Sequence, residues 1–188
     1  MILSDVEIKE ALEKEDLKIE GVEDLYVGPS SVDLHLDNTA LILDKTKTEG
    51  IKSIRTDKDS SEYFTEHKDW KEITIYPDEF YILSTREKLT FNSSIAGFIQ
   101  GRSSIARLGI NIHNAGFFDP NFSGTATLEV TNFTRIPITI PADTRICQMV
   151  FIRTGKSSEN GYHKKKDSKY QGQSGPTLTK IHKDYDKS

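Results

Sequence analysis

Between Val32 and Ile152 the chain is a succession of short apolar runs, each closed by Gly, Pro, Asn or Asp, with no amphipathic helical stretch between them. Val32, Leu34 and Leu36 alternate with Asp33, His35 and Asp37 at the period of a half-buried strand. Further strands are predicted at Ala40–Leu43, Ile73–Tyr76, Phe80–Ser84, Ile95–Gln100, Leu108–His113, Thr125–Phe133, Ile138–Ile140 and Ile146–Ile152. Many short strands without a βαβ alternation predict a mostly β protein, a sandwich, jelly roll or barrel.

The flanks read differently. Ser4 followed by Glu7 is a capping box, and Val6, Ile8, Ala11 and Leu12 then fall near helical spacing, so one short N-terminal helix is expected. Residues 44–72 are rich in Lys, Asp, Glu, Ser and Thr, and predict a long surface excursion between strands. From Thr154 onward the chain carries Gly155, Ser157, Ser158, Gly161, the basic run Lys164-Lys165-Lys166, and Gly172, Ser174, Gly175 and Pro176. That stretch is too polar for a core of its own. The division expected is a β domain with its helix at 1–153 and a C-terminal segment at 154–188. The segment is either a frayed tail or a lid that orders over a ligand.

No stretch of the 188 residues approaches the roughly 20 apolar positions of a membrane-spanning helix, and Met1-Ile2-Leu3-Ser4-Asp5 has no signal-peptide pattern. Cys147 is alone, which excludes an internal disulfide and a multi-cysteine zinc site, and points to a reducing cytoplasm. With a net charge of −4 the chain has no global field to draw it onto nucleic acid. A polyanionic ligand has to be met by local positive groups.

Two clusters carry chemistry. Gly101-Arg102-Ser103-Ser104-Ile105-Ala106-Arg107 gathers hydroxyls, backbone amides beside a glycine and two guanidinium groups. That mixture suits phosphate oxygens, because amides and hydroxyls give short directional bonds and arginine adds charge and a fork. Taken alone it reads equally as a loop whose arginine pairs with a surface carboxylate. The second cluster runs from His113-Asn114-Ala115-Gly116-Phe117-Phe118-Asp119-Pro120 to Leu128-Glu129-Val130, and reads as a strand, a tight hairpin with Asp119 on the turn, and a return strand. Glu129 faces away from Leu128 and Val130, toward either solvent or a site.

The segments Gly101–Arg107, Ala115–Glu129, Arg145-Ile146-Cys147-Gln148 and Ser168-Lys169-Tyr170-Gln171-Gly172-Gln173, in that order, resemble the successive motifs of the dCTP deaminase and dUTPase superfamily. The opening Met1–Asp5 and Pro29-Ser30-Ser31-Val32-Asp33-Leu34 resemble the start of dCTP deaminases. The resemblance implies a distorted jelly roll of the dUTPase-like type, assembled as a homotrimer with active sites at subunit interfaces closed by the C-terminal segment. It implies deamination without zinc, which agrees with the absence of a His/Cys…Pro-Cys-x-x-Cys framework. By motif position Glu129 corresponds to the general base for water attacking C4 of cytosine. Ser103 and Arg107 correspond to groups that orient water and carboxylate, and Ala115 offers backbone to the pyrimidine edge. Asp119 corresponds to the aspartate beside the deoxyribose that also orients a water toward the α-phosphorus. Arg102, Ser103 and Ser104 correspond to triphosphate contacts, and Tyr162, Lys169, Tyr170 and Gln173 to the closing segment. Mg²⁺ is expected to arrive on the triphosphate of dCTP or dUTP, with no protein cage for a metal; dTTP is the feedback inhibitor the resemblance implies.

Ala115-Gly116-Phe117-Phe118-Asp119-Pro120 resembles the bifunctional branch, which makes dUMP, whereas deaminases that release dUTP carry His-Arg at the positions of Gly116-Phe117. The alternatives are thus a deaminase that stops at dUTP and a dUTP-only diphosphatase, against which Glu129 speaks. The chain departs from the pattern at Asn114, at Phe118 where Ile or Val is usual, and in a stretch from Arg107 to Asp119 one residue shorter than in many members. His35, His67, His163 and His182 read as surface or structural, and His113 as a candidate ligand contact. Trp70, Tyr76, Phe80 and Tyr81 read as packing, Lys164–Lys166 as a solvated run, and Arg145 and Gln148 as structural or interfacial.

Overall fold

The computed structural model describes residues 1–113 and 116–186. Helix α1 (Asp5–Glu13) starts at the predicted capping box: Glu7 N donates to Ser4 Oγ, and Ser4 N donates to Glu7 Oε2 at 2.9 Å. Reciprocal caps of this kind are worth about 1 kcal/mol. The helix buries Ile8 and Ala11 and leaves Val6 exposed.

The strands follow in order as β1 (Leu17–Glu20), β2 (Tyr26–Val27), β3 (Val32–His35), β4 (Ala40–Leu43), β5 (Phe64–His67), β6 (Glu72–Ile75), β7 (Phe80–Phe91), β8 (Ile95–Gly101), β9 (Ile110–Ile112), β10 (Phe117–Phe118), β11 (Ser123–Asn132), β12 (Ile138–Pro141) and β13 (Arg145–Arg153). Short helices α2 (Lys45–Thr48) and α3 (Ser103–Ala106) interrupt them. One antiparallel sheet runs β5-β4-β7-β11-β9, with β1 also on β7; a second runs β10-β8-β13-β3-β2; β12 pairs with β6.

The two larger sheets share one core. Leu34, Ile99, Met149 and Phe151 of the second sheet join Leu83, Leu89, Leu128 and Val130 of the first, and the Phe91 and Phe151 rings meet edge to face at 5.8 Å. Each such fully buried side chain contributes about 1.5–3 kcal/mol relative to exposure. Among the described residues no helix is long and apolar enough to cross a membrane. Cys147 is buried, and burial pushes its thiol far up.

Three expectations need correction. Strand β7 runs on to Phe91, beyond the predicted Ser84, because Tyr81, Leu83, Thr85, Glu87, Leu89 and Phe91 keep the core-facing alternation through the charged stretch. Glu87 sits in that buried row because His35 answers it: the His35 backbone N–H donates at 2.9 Å and its Nδ1 lies 2.6 Å away. Residues 44–72 are not simply an excursion, since Phe64–His67 returns as β5 and pairs with β4. The stretch between β9 and β11 is no tight hairpin either. β10 crosses to the second sheet and pairs with β8, while β11 returns beside β9.

Candidate active site

On β7 and β11, side chains that turn away from the core share one face: Phe80 and Ile82 on the first strand, Thr127 and Glu129 on the second, with Glu129 directly opposite Ile82. A shift of register between Thr125 and Thr127 sets which β11 side chains turn outward, and Thr85 Oγ1 satisfies the displaced Ala126 amide at 3.0 Å. Phe64 of β5 extends the same face.

This face is the floor of a cavity of about 500 Å³. One wall is the crossing segment Gly116–Asp119, where Phe117 stands 62% exposed and Phe118 is buried against Phe122 at 4.8 Å. Pro120 and Asn121, the latter in the left-handed region at φ 65°, complete the turn after Asp119. The roof is the C-terminal segment, with Tyr162, Tyr170, Gln173, Thr177 and Thr179 lining the space.

The roof is attached by hydrogen bonds. Gly172 N donates to Ser123 O at 2.7 Å, Thr125 N to Gln173 O at 3.0 Å, and Gln173 Nε2 to Thr125 O at 2.7 Å, so this stretch pairs with the part of β11 that β9 does not reach. Gly124, at φ 148°, permits the approach: a Cβ there would stand 2.9 Å from the Gln173 carbonyl oxygen. Tyr162 N donates to Pro120 O at 2.8 Å, and Tyr162 Oη accepts from Tyr170 N at 3.1 Å. Gln173 Oε1 is buried with no hydrogen-bond partner among the described residues.

Two carboxylates reach this apolar space, Asp119 at the rim of the crossing segment and Glu129 on the floor. Burial pushes the Glu129 carboxyl above the usual glutamate range, while its own backbone amide and His113 pull the other way. A carboxyl whose neutral form is favoured by burial is suited to take and return a proton.

A model of the dCTP deaminase-like family matches residues 2–154. The chain belongs to that family. It is 38% identical over 191 residues to the dUMP-forming dCTP deaminase of Dictyoglomus turgidum, covering 98% of this chain and 97% of the relative. To the dUMP-forming dCTP deaminase of Corynebacterium glutamicum (strain R) it is 36% identical, with 97% of each chain covered. The 2′-deoxycytidine 5′-triphosphate deaminase structure from Agrobacterium tumefaciens has a TM-score of 0.62 at 22% identity, covering 82% of this chain but 48% of that one. A dUTPase of EIAV has a TM-score of 0.50 at 17% identity, over 76% of this chain and 92% of that chain. These two structures share the fold.

Against that family pattern, the structure gathers Asp119, Glu129, Tyr162, Tyr170 and Gln173 around one cavity. Ala115, like Asn114, lies outside the described residues. Arg102, Ser103, Ser104 and Arg107 are elsewhere: Ser103 and Ser104 open α3 at the end of β8 and Arg102 and Arg107 cap it, with Ser103, Ser104 and Arg107 exposed. Arg102 pairs with Asp33, a carboxylate of β3 that is only 18% exposed rather than one on the surface. Lys169 also turns from the cavity and pairs with Asp184 at 2.5 Å.

Phe80, read as packing, lines the cavity, and Tyr76 is 50% exposed, whereas Tyr81 is buried and Trp70 packs against the core. His113 is exposed, its Nε2 3.2 Å from Thr131 Oγ1. Phe64, Thr177 and Thr179 were not anticipated. Thr127 had a signal, since it lies two residues before Glu129 and shares its strand face. Among the described residues no group of three or more His, Cys, Asp or Glu is placed to hold a metal ion.

Proposed function

We propose that the chain is a dUMP-forming dCTP deaminase, and that the cavity over β7 and β11 holds the cytosine and deoxyribose. The carrying observation is Glu129, a half-buried carboxylate on the floor of an aromatic cavity, in a chain more than a third identical over nearly its whole length to relatives of that name. Glu129 takes a proton from a water that adds to C4, and the proton passes toward N3. As the tetrahedral C4 collapses, the proton of its new hydroxyl passes to the amino group, the C–N bond breaks, ammonia leaves and C4=O of the uracil ring forms. A second water, oriented by Asp119, attacks the α-phosphorus and diphosphate departs. The sum is dCTP plus two waters to dUMP, ammonia and diphosphate. The substrate enters as the magnesium–triphosphate, consistent with a site whose own donors near the phosphates are hydroxyls and cations.

The cationic side of the site is supplied by a second copy of the chain in a homotrimer of jelly-roll subunits. Two features support this. Arg102, Ser103, Ser104 and Arg107 stand outside the chain's own cavity, and the exposed apolar Leu108 just after α3, with exposed Phe133 bonded through its N–H to Gly109 O, is suited to burial between subunits. The C-terminal segment acts as the lid, with Tyr162, Tyr170 and Gln173 over the nucleoside and Lys169 freed from Asp184 to meet phosphate. The product dUMP feeds thymidylate formation, and dTTP is expected to compete for the same cavity. Incubation with dCTP and Mg²⁺ tests the reading: dUMP, ammonia and diphosphate in equal amounts are expected. Stoichiometric dUTP would instead select a deaminase without the second hydrolysis, and turnover of dUTP alone a diphosphatase.

A further inference from the structure

Asp33 lies on β3 of the second sheet, outside the cavity, with its side chain 18% exposed. Two arginines converge on one of its oxygens. Arg102 Nε stands 3.1 Å from Asp33 Oδ2, and Arg145 Nη1 3.4 Å from the same atom. Arg102 Nη1 also donates to the Arg145 backbone carbonyl at 2.9 Å. The Arg145 guanidinium is itself fixed, 4.1 Å above the Tyr26 ring.

The arrangement has a directional consequence. With Nε and Nη1 engaged on its inner side, the planar guanidinium of Arg102 cannot rotate, and Nη2 has no partner among the described residues. One carboxylate between two guanidiniums leaves a net positive unit, so the cluster still attracts an anion while its geometry is settled beforehand. A free arginine loses rotamer freedom on grasping a phosphate; one held in this way has lost it on folding.

We infer that Asp33 is the positioning residue that aims Arg102 at the substrate's phosphates, with Arg145 and Tyr26 as its abutment. This rests on the reading of Arg102 as a phosphate contact. Asp33 acts through Arg102 and touches no reacting atom.

The test compares Asp33→Asn with Arg102→Ala, using dCTP as substrate and inorganic tripolyphosphate and deoxycytidine as competing ligands. For Asp33→Asn the KM for dCTP and the Ki of tripolyphosphate should both rise about tenfold, the scale of one charge-assisted hydrogen bond, with kcat within about twofold of wild type and the Ki of deoxycytidine unmoved. A Ki for tripolyphosphate that is unchanged or tighter in folded Asp33→Asn overturns the proposal. So does an equal loss of deoxycytidine and tripolyphosphate binding, which marks a general structural role. If Arg102→Ala leaves tripolyphosphate binding intact, the reading of Arg102 fails first. Should Asp33→Asn not fold, Asp33→Glu, which moves the charge outward by one methylene, is expected to weaken tripolyphosphate and spare deoxycytidine, and an unchanged Ki there overturns the proposal equally.

Discussion

The two halves of the candidate site are built in opposite ways. The nucleoside half is assembled within one chain: β7 and β11 form its floor, the segment before Asp119 its wall, and the tail its roof. The half with Arg102, Ser103 and Arg107 stands on and around a four-residue helix at the end of β8, with Ser103 and Arg107 exposed and none of the three lining the cavity of Asp119 and Glu129. Apolar enclosure and a shifted carboxyl can be produced by one chain's own packing. In the trimer proposed above, positive charge kept apart from that enclosure reaches the same ligand from a second copy.

The sharpest way to break that comparison is to remove the floor. Glu129→Gln is expected to lower ammonia release from dCTP by about 10³-fold or more, since general-base groups contribute about 10²–10⁴-fold, while the fold persists. Ammonia production at wild-type rate would take proton transfer away from the cavity. Asp119→Asn should act on the other reaction, lowering diphosphate release by about 100-fold and letting dUTP accumulate from dCTP.

Separation of the halves has its own test. Glu129→Gln and Arg107→Ala should each be inactive alone. Unfolded together and refolded as mixed trimers, they should regain activity at about a quarter of sites, the fraction in which both contributions are wild type. No recovery would place both halves in one subunit. A smaller effect is expected at the roof. Gly124→Ala puts a Cβ against the Gln173 backbone, so kcat/KM for dCTP should fall about tenfold or more with little change in a tail-independent property such as the melting of the β core. Deletion from Tyr162 onward should match or exceed that loss.

Legibility in the sequence differed between the halves for physical reasons. A strand with clean period-two burial, such as β3, is readable because Val32 and Leu34 are apolar and Asp33 and His35 are not. β7 was cut short because Glu87 is a charge in a core row, a choice that makes sense only once His35 of another strand is beside it. β10 was misplaced as part of a hairpin because the pairing of two residues with β8 depends on Phe118 finding Phe122 in space. Glu129 and Asp119 were found from motif order, and strand alternation left the direction of Glu129 open. Phe64 carried no signal at all, being one aromatic in a polar stretch that returns to the sheet as β5.

The raised Glu129 carboxyl gives the least and the most diagnostic effect. Burial stabilises its neutral form, so its folded pKa stands above the ordinary value of 4.5. A base must be ionised, which places the acid limb of kcat/KM above that value in the free enzyme. The same shift has a stability sign. The folded protein binds this proton more tightly than the unfolded chain, so the contribution is full below the unfolded pKa and is lost as pH rises through the folded one. Glu129→Gln has no such loss. Its melting temperature relative to wild type should therefore climb as pH is raised from about 4 to 7, by no more than the few degrees, about 2–4 °C, that a kilocalorie moves a domain of this size. A difference that stays flat across that range would mean that the carboxyl is solvated rather than enclosed, and with it the contrast between an enclosed nucleoside half and an open cationic half would weaken.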